Sequence, residues 1–314
     1  MLEEACVSML PNGFTEDPFF VAEDFQLPLS FNRVDSLEIE YQPRRRGPKF
    51  ISKYLMGEKL GEGAYSKVKE VLDTETLERR AAKIMKVKRL RRIPRGEENA
   101  QREIQVHRKL KHENVVRLID VFFIEEKEKF YMIMEYCPVV LKELLDSVPL
   151  QRLPIWQSAE YFQQLITGLE YLHGQGIIHY DIKPGNLLLD NAGVIKITDF
   201  GVSEELDRFR NDDICEKSQG TPTFQPPEVA DIKSHTIYGF KLDVWSSGVT
   251  LYNITTGEYP FAGENIYRLF DNIVRCEFTF PDHLEDDLLM DLIKQMLKKD
   301  PIERFSVEQI KSHG

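Results

Sequence analysis

Cysteine is scarce in this chain of 314 residues. There are four, Cys6, Cys137, Cys215 and Cys276, far apart and with no CxxC pair. That spacing offers neither a disulfide framework nor a cysteine zinc site, and it fits a reducing compartment. Long apolar runs are absent too, since none approaches the roughly 20 residues that a helix needs to span a bilayer. The N-terminus carries Glu3 and Glu4 ahead of Cys6 and lacks the basic opening of a signal peptide. The expectation is a soluble, intracellular protein without a transmembrane segment. Positive charge is in deficit: 41 Lys and Arg against 52 Asp and Glu give a net charge of -11. A nucleic-acid backbone would be repelled overall, which argues against general nucleic-acid binding. The composition, 42% hydrophobic and 30% charged, is that of an ordinary globular protein, and the length allows one or two domains. Neither an internal repeat nor a low-complexity segment is present.

Residues 1–48 hold scattered Phe and Pro without a sustained period and end in the basic, turn-rich Pro43 to Lys49. They read as a mostly extended tail, in which Arg44, Arg45 and Arg46 are either a nuclear-import signal or a solvated linker. From Tyr54 the pattern becomes that of strands: Tyr54 to Leu60, Tyr65 to Leu72 and Arg80 to Val87. A helical segment, Glu97 to Leu110, puts Ala100, Glu103, Ile104, His107 and Leu110 on one side. Val115 to Val121 and Lys129 to Cys137 would complete a small sheet. After Pro138 helical patterns dominate. Tyr161, Leu165, Leu169 and Leu172 form one stripe, Leu242 to Thr255 is apolar on nearly all sides, and Asn265 to Ile273 and Leu284 to Leu297 are amphipathic. The expected organisation is therefore a tail (1–48), a strand-rich lobe (49–137) and a helical lobe (138–314).

Chemistry concentrates in one stretch, HYDIKPGNLLLDNAGVIKITDFG, from His179 to Gly201. Two short apolar runs joined at Asn191, Ala192 and Gly193 read as a hairpin that returns Asp199 to the side of Asn186. Asp181 can accept or orient a substrate hydroxyl proton, and Lys183 can neutralise a moving phosphoryl group. Asn186 and Asp199 offer the hard oxygen ligands that Mg2+ uses beside phosphates. Singly, each of these is equally well a cap or turn residue. Upstream, Gly61, Glu62, Gly63 and Ser66 lie in a turn between two strands. Alone the turn reads better as an ordinary β-turn; a dinucleotide fingerprint would need a helix there, and in context a lid whose backbone amides cover phosphates suits better. Lys83 sits among Ala81, Ala82, Ile84 and Met85, where an unpaired charge is costly, and Glu103 on the apolar side of its helix is the natural partner.

This set resembles the eukaryotic protein kinases, with their glycine loop, strand lysine, catalytic loop and D-F-G motif. The resemblance covers residues 54 to about 311 and implies an α+β, bilobal fold, a small β-sheet lobe with one helix followed by a larger, mainly helical lobe. DIKPGN and Thr221 in Gly220-Thr221-Pro222 look like the serine/threonine branch, with Thr221 touching the catalytic aspartate. A tyrosine kinase is disfavoured on the same residues. The resemblance assigns catalysis to Asp181, Lys183, Lys83, Glu103 and Thr221, and metal ligation to Asn186 and Asp199. Nucleotide binding falls to Leu60, Gly61, Glu62, Gly63, Val68, Ala81, Lys83, Met134, Glu135, Cys137, Asn186, Leu188 and Asp199. Met134 to Cys137 match the gatekeeper and the hinge. The implied cofactors are ATP and Mg2+, with Mn2+ a possible substitute. Pro226-Pro227-Glu228, Asp243, Trp245, Gly248 and Arg304 are further matches, Arg304 being expected to pair with Glu228.

One departure stands out: position 180 is Tyr, where many kinases carry the arginine that receives an activation-loop phosphate. A phenol cannot supply that bidentate charge, so activation is expected through a bound protein instead. Longer stretches, among them KRLRRIPRGEENAQREIQ and SQGTPTFQPPEVA, are similar to the liver kinase B branch, in an invertebrate form that is C-terminally truncated. That branch implies activation in a heterotrimer with a pseudokinase adaptor (STRAD-like) and a scaffold (MO25-like). It implies as substrates the activation-loop threonines of AMP-activated protein kinase and its relatives, and a location both cytoplasmic and nuclear. The rival from another class is a catalytically weak or dead kinase-fold scaffold. It would be expected to lose Lys83, Asp181 or Asp199, and all three are present.

Overall fold

The structure, a computed structural model, describes residues 47–63, 66–207, 212–215, 219–231 and 236–313. The tail with Arg44 to Arg46, Ala64 and Tyr65 of the glycine turn, and Ser218 lie outside the described residues. β1 (Phe50–Ile51), β2 (Tyr54–Glu62), β3 (Ser66–Asp73) and β4 (Arg79–Lys86) precede two helices, α1 (Val87–Leu90) and α2 (Gly96–Lys109). β5 (Leu118–Ile124) and β6 (Lys129–Glu135) then complete a six-stranded antiparallel sheet in the order β1-β2-β3-β4-β6-β5. The alternation of small and apolar residues in RRAAKIMK explains the central position of β4. Ala82 and Met85 are fully buried, and the strand has neighbours on both edges.

One sequence expectation is corrected in this lobe. The strand expected from Val115 begins at Leu118. Val115 instead makes a parallel bridge to Ile197, and the Val116 N–H donates to the Ile197 carbonyl at 2.9 Å. That stretch is already committed to the hairpin of the second lobe, so it cannot continue the sheet.

The second lobe begins with β7 (Val139–Val140), α3 (Leu141–Ser147), α4 (Ile155–Gly174) and β8 (Ile177–Ile178). The hairpin β9 (Leu187–Leu189) and β10 (Ile195–Ile197) follows, with Leu189 opposite Ile195 and Leu187 opposite Ile197. Two short strands, β11 (Glu204–Glu205) and β12 (Ile214–Cys215), lead to α5 (Pro227–Ala230). The chain closes with β13 (Ile237–Tyr238), α6 (Gly239–Thr256), α7 (Ile266–Arg275), α8 (Asp287–Met296) and α9 (Val307–Lys311). Leu165, Leu169 and Leu172 of α4 pack into the main core with Val244, Trp245, Val249 and Leu251 of α6. Every residue of α6 except Phe240 and Lys241 is buried. Its hydroxyls survive there by bonding back one turn: Ser246 to the Leu242 carbonyl, Ser247 to Asp243, Thr250 to Ser246 and Thr255 to Leu251. At the entry to α7, Asn265 caps the helix by accepting from the N–H groups of Tyr267 and Arg268.

A buried ion pair closes this lobe. The Arg304 guanidinium, 1% exposed, meets Glu228 with two bonds of 2.8 and 3.0 Å. It also donates to the carbonyls of Lys241 and Lys298 and lies 5.0 Å from the Trp245 ring centroid. Removing one partner of such a pair leaves an uncompensated buried charge, at about 3–5 kcal/mol. Glu228→Ala is therefore expected to lower the unfolding free energy by that amount and the denaturation midpoint with it. The double change Glu228→Leu with Arg304→Met should recover most of the loss, and equal midpoints for Glu228→Ala and the parent would contradict the assignment.

Candidate active site

Antiparallel register decides what faces the cleft. Val68 of β3, Lys83 of β4 and Met132 of β6 lie directly opposite one another, as do Ala81 and Met134 two residues on. Since side chains two apart share a face, Val68, Ala81, Lys83 and Met134 line one side of the sheet. Gly61 stands opposite Val68, and a Cβ built on it would meet nothing within 4 Å. The fold thus leaves open room in front of the lid. Glu62 is bound within the lid to Lys59 at 2.8 Å and Lys67 at 3.1 Å, and those lysines, first Lys59, lower its pKa to about 2. Leu60 is 42% exposed at the mouth. Leu188, on β9, lies opposite both Val140 and Lys196. At the hinge, the Glu135 carboxylate accepts from the Arg117 N–H at 2.6 Å and pairs with Lys196 at 3.3 Å. That side chain is turned toward the framework, and the Glu135 N–H is itself bonded to the Arg117 carbonyl at 3.0 Å. Burial pushes the Cys137 thiol up to about 12, so it remains protonated.

Lys83 is 7% exposed and has two anionic partners, Glu103 Oε1 at 2.5 Å and Asp199 Oδ1 at 2.8 Å. Burial works against its charge, but the two carboxylates outweigh it and hold its pKa above that of an ordinary lysine. The Lys83 charge keeps Asp199 below the usual carboxylate range. The Asp199 side chain is 49% exposed toward the cleft, whereas Glu103 is enclosed and burial raises it. Helix α2 presents Glu103 because Ala100, Ile104 and His107 bury the same side.

In the catalytic stretch, Asp181 Oδ1 accepts from both the Thr221 N–H at 2.9 Å and the Thr221 hydroxyl at 2.7 Å. Lys183 donates to Asp181 Oδ2 at 2.7 Å and to the Thr221 hydroxyl oxygen at 2.6 Å. The Asn186 amide donates to the Asp181 carbonyl and to Asp181 Oδ2, both at 2.8 Å. That leaves its side-chain Oδ1 available. The hairpin returns as the spacing implies, with the Thr198 N–H bonded to the Asn186 carbonyl at 3.0 Å. No cluster of three or more acidic, His or Cys ligands exists among the described residues. Mg2+ beside phosphates needs only one or two carboxylates, so the free oxygens of Asn186 and Asp199 fit it.

Several supporting residues went unseen in the sequence. Asp243, named only as a motif match, is fully buried and accepts from the N–H groups of His179 at 2.9 Å and Tyr180 at 2.8 Å, and it pairs with His173 at 3.0 Å. It satisfies backbone donors of a loop in which Tyr180 has φ +67. Gly220, at φ +115, passes so close that a Cβ would lie 2.4 Å from the Tyr180 carbonyl oxygen. Only glycine meets both demands. The Phe200 ring sits 5.0 Å from that of His107 and 5.3 Å from that of His179. Polar residues repeated on one buried side were the available signal for His107. Nothing local marks the contact of Asp243.

The protein kinase domain family model matches residues 54–314. The chain belongs to the protein kinase family. The kinase is 58% identical over 283 residues to serine/threonine-protein kinase STK11 of Homo sapiens, covering 90% of this chain and 65% of that protein. It is 56% identical over 310 residues to stk11 of Xenopus laevis, covering 98% and 71%. To the kinase par-4 of Caenorhabditis elegans it is 42% identical over 290 residues, covering 91% and 47%. The kinase spans just under two thirds of the length of the STK11 proteins of Gallus gallus and Homo sapiens, at 64% and 65%.

His107 gives the site region a pH signature. Its ring bonds the Val116 carbonyl through Nε2 at 2.6 Å, so Nε2 carries the proton of a neutral imidazole. Burial lowers its pKa from 6.5 to about 4. The unfolded chain takes up this proton below pH 6.5 while the folded chain does not until about pH 4. Stability from this group is thus complete above pH 6.5 and is lost as pH falls through that window, by roughly 3 kcal/mol. Denaturation of His107→Gln should show a shallower decline between pH 6.5 and 4 than the parent, and identical slopes would contradict the assignment.

Proposed function

We propose that this kinase transfers the γ-phosphoryl group of ATP to protein threonine or serine. The observation that carries the reading is the closed set Asp181, Lys183 and Thr221. The lysine donates to both partners, and the threonine fixes one carboxylate oxygen. As the substrate hydroxyl oxygen attacks the γ-phosphorus, its proton goes to Asp181 and the bond to the bridging oxygen of ADP breaks. Lys183, beside Asp181, meets the charge on the transferring group. Lys83, held by Glu103, is placed to reach the other phosphates beneath the lid. Mg2+ held by Asn186 and Asp199 would neutralise phosphate charge.

The finer reading rests on the motif resemblance and on the similarity to STK11 proteins. Substrates are activation-loop threonines of AMP-activated protein kinase and its relatives. A STRAD-like pseudokinase adaptor and an MO25-like scaffold activate the chain, in both cytoplasm and nucleus. Tyr180 supports the reliance on a partner. Its hydroxyl is bonded to Glu204 at 3.0 Å and it is 3% exposed, so it offers no cation to a loop phosphate.

The test is transfer of labelled phosphate to a threonine peptide, with and without adaptor and scaffold. Phosphothreonine is expected, at a higher rate with the partners. Asp181→Ala should lower the rate by about 10²–10⁴-fold, and Asp199→Ala should abolish magnesium-dependent turnover. No transfer with partners present, the same in parent and Asp181→Ala, would leave a scaffold instead of an enzyme. Phosphotyrosine as the product would overturn the serine/threonine assignment.

A further inference from the structure

Strand β11 has only two residues, Glu204 and Glu205, yet it touches both halves of the active site. Its backbone pairs antiparallel with β8, Glu204 opposite Ile178 and Glu205 opposite Ile177, and the next N–H, of Leu206, donates to the Gly176 carbonyl at 2.8 Å. Successive strand side chains leave on opposite faces, so the two carboxylates cannot serve the same partner. Glu204 Oε2 accepts from the Tyr180 hydroxyl at 3.0 Å. Glu205 accepts from Lys109 Nζ with both oxygens, at 2.7 and 2.6 Å.

Those two partners sit where movement would disturb catalysis. Tyr180 directly precedes Asp181, and its own N–H is held by Asp243. Burial, then the neighbouring Cys215 and Glu204, raises the pKa of its phenol, so the hydroxyl remains a donor. Lys109 is the last residue of α2, six positions after Glu103, which grips Lys83. Through β11 the end of helix α2 is therefore tied to the segment beside the catalytic aspartate.

We infer that Glu204 and Glu205 are positioning residues, a pair of built-in carboxylates that hold helix α2 and the catalytic loop in register with each other. Lys109 is 50% exposed and Glu205 29%, and exposed pairs of this kind are weak, so the tie biases the helix only a few-fold. A tie of that strength leaves the position of α2 open to adjustment by a bound protein. The inference rests on the phosphoryl-transfer reading for its consequence, but not for its geometry.

Hydrogen exchange of the whole chain tests it without relying on activity. Lys109→Glu and Glu205→Lys should each raise exchange at the α2 amides by about two- to fivefold. The double variant, with the charges swapped, should return exchange toward the parent. Tyr180→Phe, which removes one hydroxyl, should raise exchange at Glu204–Leu206. Single variants indistinguishable from the parent, or a double variant as fast as the worse single one, would overturn the tie to α2. Unchanged exchange in Tyr180→Phe would overturn the tie to the catalytic loop. Peptide phosphorylation in the same variants should fall and recover in the same order. Absence of transfer in the parent as well would count against the phosphoryl-transfer reading and leave the exchange result standing.

Discussion

A buried ammonium group shared by two carboxylates is the constraint on which the rest of the structure depends. Lys83 is enclosed, and a lone charge there would cost several kcal/mol in desolvation. Glu103 and Asp199 meet that cost only if α2 is docked against the sheet and the hairpin β9–β10 is folded back beneath it. One partner comes from a helix of the first lobe and the other from the second lobe. The ion pair therefore reports on the position of three elements at once. Asp199 remains half open to the cleft, and its second oxygen is free for a ligand.

A second constraint fixes the catalytic loop. It bends through a left-handed residue at Tyr180, and its N–H groups have no strand to bond. Asp243, fully buried on α6, accepts two of them. A carboxylate in the core is tolerable because backbone donors and His173 surround it. The same loop receives Gly220 from the other side, which brings Thr221 onto Asp181. Helix α6 is thus both the centre of the lobe and the anchor for the chemistry, and the Glu228–Arg304 pair ties the segment after Thr221 to the same helix through Lys241 and Trp245.

Much of this was legible in the sequence, for a physical reason. Strand alternation and helical stripes report burial directly, and they located β2 to β6, α2, α4 and α6 to α8 with ends shifted by a few residues. The pairing of Lys83 with Glu103 followed from a charge placed among apolar neighbours, and the return of Asp199 followed from the hairpin. Very short elements gave no period to read, and the two-residue strands β1, β7, β8, β11, β12 and β13 were missed. Val115 was misassigned because its partner, Ile197, lies far along the chain. The ties of Lys196 to Glu135, of Asp243 to the loop, and of Glu204 and Glu205 to Tyr180 and Lys109 join polar residues, some buried and some exposed, that are distant in sequence. No local pattern distinguishes these from solvated charges.

The central claim is that Lys83 and Glu103 act as one unit in placing a phosphoryl donor. A cycle of single-turnover transfer rates for the parent, Lys83→Met, Glu103→Gln and the double variant, measured with saturating partners, tests it most directly. Groups that act as a unit are strongly non-additive. The account predicts that the double variant is no slower than the slower single variant. Losses that multiply in the double variant would contradict it, because the two residues would then contribute independently.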